Sequence, residues 1–142
     1  MAQPPGPIQL SVGHVDLSAR FVQTTSVVAS PALAAEVVIA SLSLPENVVI
    51  ASGVQLVGWA ALTVGTSGVG LTLRIRQTGL AGAVVATTGA TTVTAANLVE
   101  TGLQGFDTGA TLPNQVYVLT ATVASGAAAS TVSALQLYAT II

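Results

Sequence analysis

His14 and Asp16 stand two positions apart, with Ser11 and Ser18 close by, and His14 is the chain's only histidine. On an extended segment the imidazole and the carboxylate would share a face. Histidine-centred nucleophilic catalysis needs a nucleophile as well as the base and its orienting acid. No separate nucleophile signature accompanies the pair, so it reads as structural. The second pair is Arg74 and Arg76 in GLTLRIRQTG (70–79), two of the three basic residues in a chain without lysine. Arginine favours bidentate carboxylate partners and is enriched at interfaces. Two arginines without lysine neutralise little phosphate, so no nucleic-acid partner is expected. The pair reads as the wet face of a strand, with a salt bridge across a subunit boundary to Glu36, Glu46 or Glu100 as the alternative.

The remaining acids, Glu36, Glu46, Glu100 and Asp107, are dispersed. Paired carboxylates can hydrolyse glycosides, but no aromatic sugar platform is visible beside them. Asp107, in GFDTG, suits an Asx turn better than a calcium loop. With one histidine, no cysteine and no GKS or GKT phosphate motif, no metal, no cofactor and no catalytic set is expected. Cysteine's absence also rules out disulfides.

The segments that carry these residues read as strands. In 69–78, Val69, Leu71, Leu73 and Ile75 lie on one parity and Thr72, Arg74, Arg76 and Thr78 on the other, the alternation of a strand with one dry and one wet face. The run 116–125 places Tyr117, Leu119, Ala121 and Val123 in one row. In 131–142, Leu135, Leu137, Ala139 and Ile141 line one face, while Val132, Gln136, Tyr138 and Thr140 line the other. In 36–45, Val38, Ala40, Leu42 and Leu44 share a parity, and Pro45 ends the run. VQLVGWAALTV (54–64) is apolar on both parities and reads as a central strand or one buried on both sides. Trp59 within it is expected in the core, or as an interface anchor, and Gly58 admits a close neighbour.

Residues 20–28 form an earlier extended run. Residues 81–95 give a strand with a short partner around Gly89. Glycine-rich 98–109 is expected to be more irregular, with Leu98, Glu100, Leu103 and Phe106 on a strand and its exit loop. Turns are expected at GTSG (65–68), LPNQ (112–115) and GAAAS (126–130). SPALAAEV (30–37) has the cap and first-turn proline for one helical turn. These elements predict an all-β antiparallel sandwich of about eight strands, jelly-roll-like, over 20–142. Residues 1–19 are an arm held extended by Pro4, Pro5 and Pro7.

Charged residues are only 6% of the 142, against about 25% in an ordinary soluble protein. The mean hydropathy is +0.80, yet every apolar run is interrupted well short of a membrane helix. A membrane barrel would need aromatic girdles, and the aromatics are few: Phe21, Trp59, Phe106, Tyr117 and Tyr138. The start, MAQPPGPIQL, lacks the basic and apolar regions of a signal peptide. So little charge over apolar β segments calls for other chains to cover part of the surface, and for a surface of Thr, Ser, Gln and Gly that is polar without charge; both are expected. Pro4, Pro5, Pro7, Trp59, Arg74, Arg76 and Tyr138 are the expected intersubunit or capsid contacts.

From Val54 to Ile142 the chain resembles β-sandwich virion proteins of tailed bacteriophages: capsid decoration (cement) proteins, head-fibre domains and fibre tips. The resembling segments are VQLVGWAALTVGTSGVGLTLRIRQTG, GLAGAVVATTG and NQVYVLTATVASGAAASTVSALQLYAT. The resemblance implies a jelly-roll-like domain that forms homotrimers and sits on the outer capsid or at a fibre. On the capsid it is expected to stabilise the shell by contact with the major capsid protein. Its alternative implication is a receptor- or carbohydrate-binding head.

Overall fold

A computed structural model describes residues 21–25, 35–46, 48–63, 69–93, 98–109, 115–123 and 131–142. Its strands are β1 (Phe21–Thr24), β2 (Val37–Ser43), β3 (Val54–Thr63), β4 (Val69–Gln77), β5 (Val84–Thr87), β6 (Thr91–Val93), β7 (Leu98–Asp107), β8 (Val116–Val123) and β9 (Thr131–Ile141). All pairings among them are antiparallel, and no helix occurs among the described residues. One sheet, here sheet A, has the order β1-β9-β3-β7; the other, sheet B, runs β2-β8-β4-β5, with β6 also on β4. The chain changes sheet between successive strands, except across β4, β5 and β6. That order is a jelly roll.

The alternation expected for β4, β8 and β9 builds the core. Leu71, Leu73, Ile75, Tyr117, Leu119, Ala121 and Val123 of sheet B are buried between the sheets, with Val54, Leu56, Ala60 and Leu62 of β3 and Leu137 and Ala139 of β9 opposite. Each large apolar side chain buried there contributes about 1.5–3 kcal/mol. Gly58 faces inward, and a Cβ there would sit 2.9 Å from Leu119 Cδ1 of the opposite sheet. The bare backbone lets the two layers interlock at mid-sandwich.

Three local expectations change. In β2 a bulge between Val38 and Ala40 inserts Ile39, which is fully buried. Val38 therefore pairs with Thr120, on the row of Arg74, and leaves the parity of Ala40, Leu42 and Leu44. The segments around Gly89 do not pair with each other. β5 pairs Arg74–Arg76 and β6 pairs Val69–Leu71, so both extend along one edge of β4. Between them Thr88 Oγ1 accepts from the Leu73 N–H at 2.9 Å, and Thr88 N–H donates to Leu73 O. Finally, 98–107 is a regular strand held against β3 in unbroken register from Leu98↔Thr63 to Asp107↔Val54, and it includes Phe106. Cross-strand bonding to a well-formed neighbour outweighs the weak strand preference of Gly102 and Gly105.

The arm with Pro4, Pro5 and Pro7, the His14–Asp16 pair, most of the helical-turn segment 30–37, and the turns at 65–68, 112–114 and 126–130 lie outside the described residues.

Candidate functional site

On β3 the inward positions are Val54, Leu56, Gly58, Ala60 and Leu62, so Gln55, Val57 and Trp59 point out of the sandwich. Trp59 is thus not a core residue: it is half-buried on the outer face of sheet A. Both parities of this strand are apolar, and which one faced the core was decided by register with β7 and β9. The register assembles three cross-strand rows on that face. Phe21, Thr140, Gln55 and Phe106 form one; Gln23, Tyr138, Val57 and Gln104 form the next; Gln136, Trp59 and Gly102 form the third. Four of the five aromatic residues, from positions 21, 59, 106 and 138, therefore share one surface with four glutamines. No aromatic platform is visible in the sequence because no two of these rings are neighbours along the chain.

The two halves of this face differ. On the β1–β9 side, the Phe21 and Tyr138 rings lie 5.4 Å apart, and Gln136 Nε2 donates to Gln23 Oε1 at 3.2 Å. On the β3–β7 side are two adjoining depressions. One, of about 440 Å³, is lined by Gln55, Gln104, Gly105 and Phe106. The other, of about 410 Å³, is lined by Val57, Gly58, Trp59, Gly102, Leu103 and Gln104. Trp59 lies beside Gly102, whose missing Cβ would stand 3.7 Å from Trp59 Cδ1. At the other end the Phe106 ring packs over Gly53, which has φ +152° and no room for a Cβ. Phe106 is 46% exposed.

Arg74 and Arg76 lie on the outer face of sheet B. Glu36, immediately before β2, receives both of them within its own chain. Arg76 Nε donates to Glu36 Oε1 at 2.6 Å and Nη2 to Oε2 at 2.8 Å; Arg74 Nη1 lies 3.5 Å from Oε2. Thr120 Oγ1 adds a 2.6 Å hydrogen bond to Glu36, and Arg76 Nη1 donates to Gly82 O. The Arg76 hydrogen bond holds the Glu36 carboxyl below its ordinary range, against the opposing effect of burial, and Glu36 raises Arg76 in turn. Of the three acids that the sequence offered these arginines, the fold selects Glu36. Glu46 and Glu100 are exposed elsewhere.

Asp107 is buried at the end of β7. Its Oδ1 accepts from Gly109 N–H at 2.9 Å, an Asx turn as expected. Its Oδ2 accepts from Tyr117 Oη and Gln77 Nε2 of sheet B. Tyr117 ionises well above its ordinary range, through burial first and the adjoining carboxylate second. Among the described residues no group of three or more His, Cys, Asp or Glu converges as a metal set would, and no helix is long and apolar enough to cross a membrane.

No protein-family model and no curated protein matches the sequence. Solved structures do. A mutant VP2 protein of infectious bursal disease virus, in derived T=1 particles, superimposes with a TM-score of 0.57 at 14% identity over 86% of this chain and 32% of that one. The Gx strain of the same virus gives 0.54 at 18% identity over 86% and 32%. A looser match, at 0.43 and 17% identity over 86% and 88%, is to the pili of Bacillus endospore appendages. This chain spans about a third of the length of the viral proteins it matches. The jelly-roll sandwich is thus a fold shared with viral capsid proteins.

Proposed function

We propose that this chain is a structural virion protein: a homotrimeric jelly roll that decorates and stabilises the exterior of a bacteriophage capsid through contact with the major capsid protein. The observation that carries this reading is the polarity of its surface. Six of the exposed large apolar residues (Phe21, Val49, Leu80, Val84, Phe106 and Ile142) gather at one end of the sandwich. The register brings them there. Phe21 pairs with Thr140 and Phe106 with Gln55; Ala51, Ser52 and Gly53 donate to Ile142 O; Leu80 and Val84 flank the β4–β5 turn, whose Thr78 N–H reaches Val116 O. Asp107 binds the two sheets together at that same end. Only Glu46 and Glu100 are exposed charges among the described residues. An apolar end on a nearly uncharged body suits a permanent seat on a larger surface. The likeness to a capsid protein's jelly roll supports the same reading.

Native particles imaged with this chain in place, together with its mass in solution, provide the test. A trimer that adds to shells at fixed stoichiometry, seats Val49, Leu80 and Ile142 against the major capsid protein and delays shell opening on heating is the expected result. A monodisperse monomer that binds no shell would overturn it.

A further inference from the structure

The β3–β7 half of the outer face of sheet A carries a feature that shares only Phe106 with the apolar end proposed to seat on a capsid. Its two depressions meet at Gln104. Each is shallow and open to solvent, with a volume that falls within the range of small-ligand sites, roughly 300–1,000 Å³. Each is lined by an aromatic residue, Trp59 in one and Phe106 in the other, and by glutamine, Gln104 in both and Gln55 beside Phe106. On the neighbouring half, Gln23 and Gln136 bond to each other. Among the described residues, the Gln55 and Gln104 side chains make no such bond, so their donors and acceptors are available. The Phe106 and Gly102 positions are four residues apart on one strand, roughly 13 Å, which is longer than a single pyranose ring. No lining residue is charged; Glu100 is the next outward position past Gly102.

These features select a ligand chemistry. Ring faces accept the C–H faces of a sugar, and a primary amide offers one donor group and one acceptor to vicinal hydroxyls. An uncharged floor with a carboxylate at one margin favours a neutral ligand over an acidic one. We propose that this strip binds a neutral oligosaccharide lying along β7 from Trp59 to Phe106, with Gln104 between the two rings and Gln55 beside Phe106. The proposal does not rest on the virion reading. The strip runs up the side of the sandwich, and the Trp59 end of it lies away from the apolar end.

Trp59 is the only tryptophan in the chain, so its emission reports occupancy directly. The experiment titrates the full chain with neutral hexaoses (cello-, laminari-, malto- and manno-) and with sialyllactose and oligogalacturonate as acidic probes, alongside a neutral-glycan array. A saturable change in Trp59 emission with at least one neutral hexaose and none with the acidic probes is expected. Gln104→Ala and Gln55→Ala should each weaken that binding by about tenfold, with folding checked by circular dichroism. Thr72→Ala, on the outer face of sheet B, should leave it unchanged. A flat response to every neutral glycan overturns the proposal, as does binding indifferent to Gln104→Ala. Trp59 emission that shifts with protein concentration alone would also overturn it, because a second copy would then cover the strip. Shell binding by Gln104→Ala, measured separately, keeps this outcome distinct from that of the assembly reading.

Discussion

Tyr117 Oη donates to Asp107 Oδ2 at 2.7 Å, from β8 of one sheet to the end of β7 of the other. Tyr117 is fully buried, so the bond is shielded from water and joins the two layers where the apolar residues collect. Gln77, opposite Tyr117 in register, donates to the same oxygen at 2.6 Å. The sandwich is thus closed at this end by a polar clasp rather than by packing alone.

Removing the hydroxyl tests the clasp. Tyr117→Phe keeps the ring volume but deletes a buried hydrogen bond to a carboxylate, and should cost about 1.5–3 kcal/mol, read as a lower Tm. The wild-type chain should also lose stability as pH rises above about 10. The folded tyrosine keeps its proton beyond the point where the unfolded one releases it, so the folded state holds more protons there. Tyr117→Phe should remove this part of the alkaline loss. A variant as stable as wild type would show that the bond contributes nothing.

Glu36 produces the opposite dependence. Its folded carboxyl ionises below its ordinary range, so the unfolded state binds the proton first as pH falls. The stability it contributes is complete above about pH 4.5 and fades as pH drops through the folded value. Glu36→Gln should cost about 1–2 kcal/mol at pH 7, since it leaves Arg74 and Arg76 side by side without their shared partner. The difference between variant and wild type should shrink in melts near pH 3. A difference that is constant with pH would rule out this ion-pair account.

Thr78 has φ 66° in the turn after β4. The left-handed region costs an L-residue about 1–2 kcal/mol, and β-branching makes Thr a poor occupant. Thr78→Gly relieves that strain but gives the unfolded chain more freedom. A net gain of about 0.5–1 kcal/mol, or a few degrees in Tm, is expected. A lower Tm would mean that the Thr78 side chain holds the turn by an interaction worth more than the strain.

Gly82 closes the same turn. A Cβ there would fall on the Gln77 carbonyl, and Gly82 O accepts from Arg76. Gly82→Ala should therefore reopen the turn and loosen the Arg76–Glu36 pair together, at a cost of about 2–4 kcal/mol. Hydrogen exchange should show faster Gln77 and Gly82 amides than in wild type. Unchanged protection would contradict the close approach.

The strand rows of β4, β8 and β9 were legible in the chain because alternation with period two is a local property. So was the absence of helix over most of the length, from the abundance of threonine and valine. Leu71, Leu73, Ile75, Tyr117, Leu119, Leu137 and Ala139 are buried where that alternation puts them. Where alternation is absent, the local pattern does not specify which face is buried. β3 is apolar on both parities, and Trp59 could be assigned a face only once β7 and β9 were in register. Glycine-rich β7 shows little strand preference of its own and is straightened by its partner.

The sequence by itself determined the class of the fold and the scarcity of charge, since both follow from composition and short-range pattern. Only the tertiary structure chose Glu36, forty residues from Arg76, over Glu46 and Glu100 as the arginines' acid. Only the strand order β1-β9-β3-β7 brought residues 21, 59, 106 and 138 onto one face. The physical reason is that alternation fixes which side of its own strand a residue takes. Which strands lie next to one another is set by the closing of the whole sandwich, and that information is not held in any single segment.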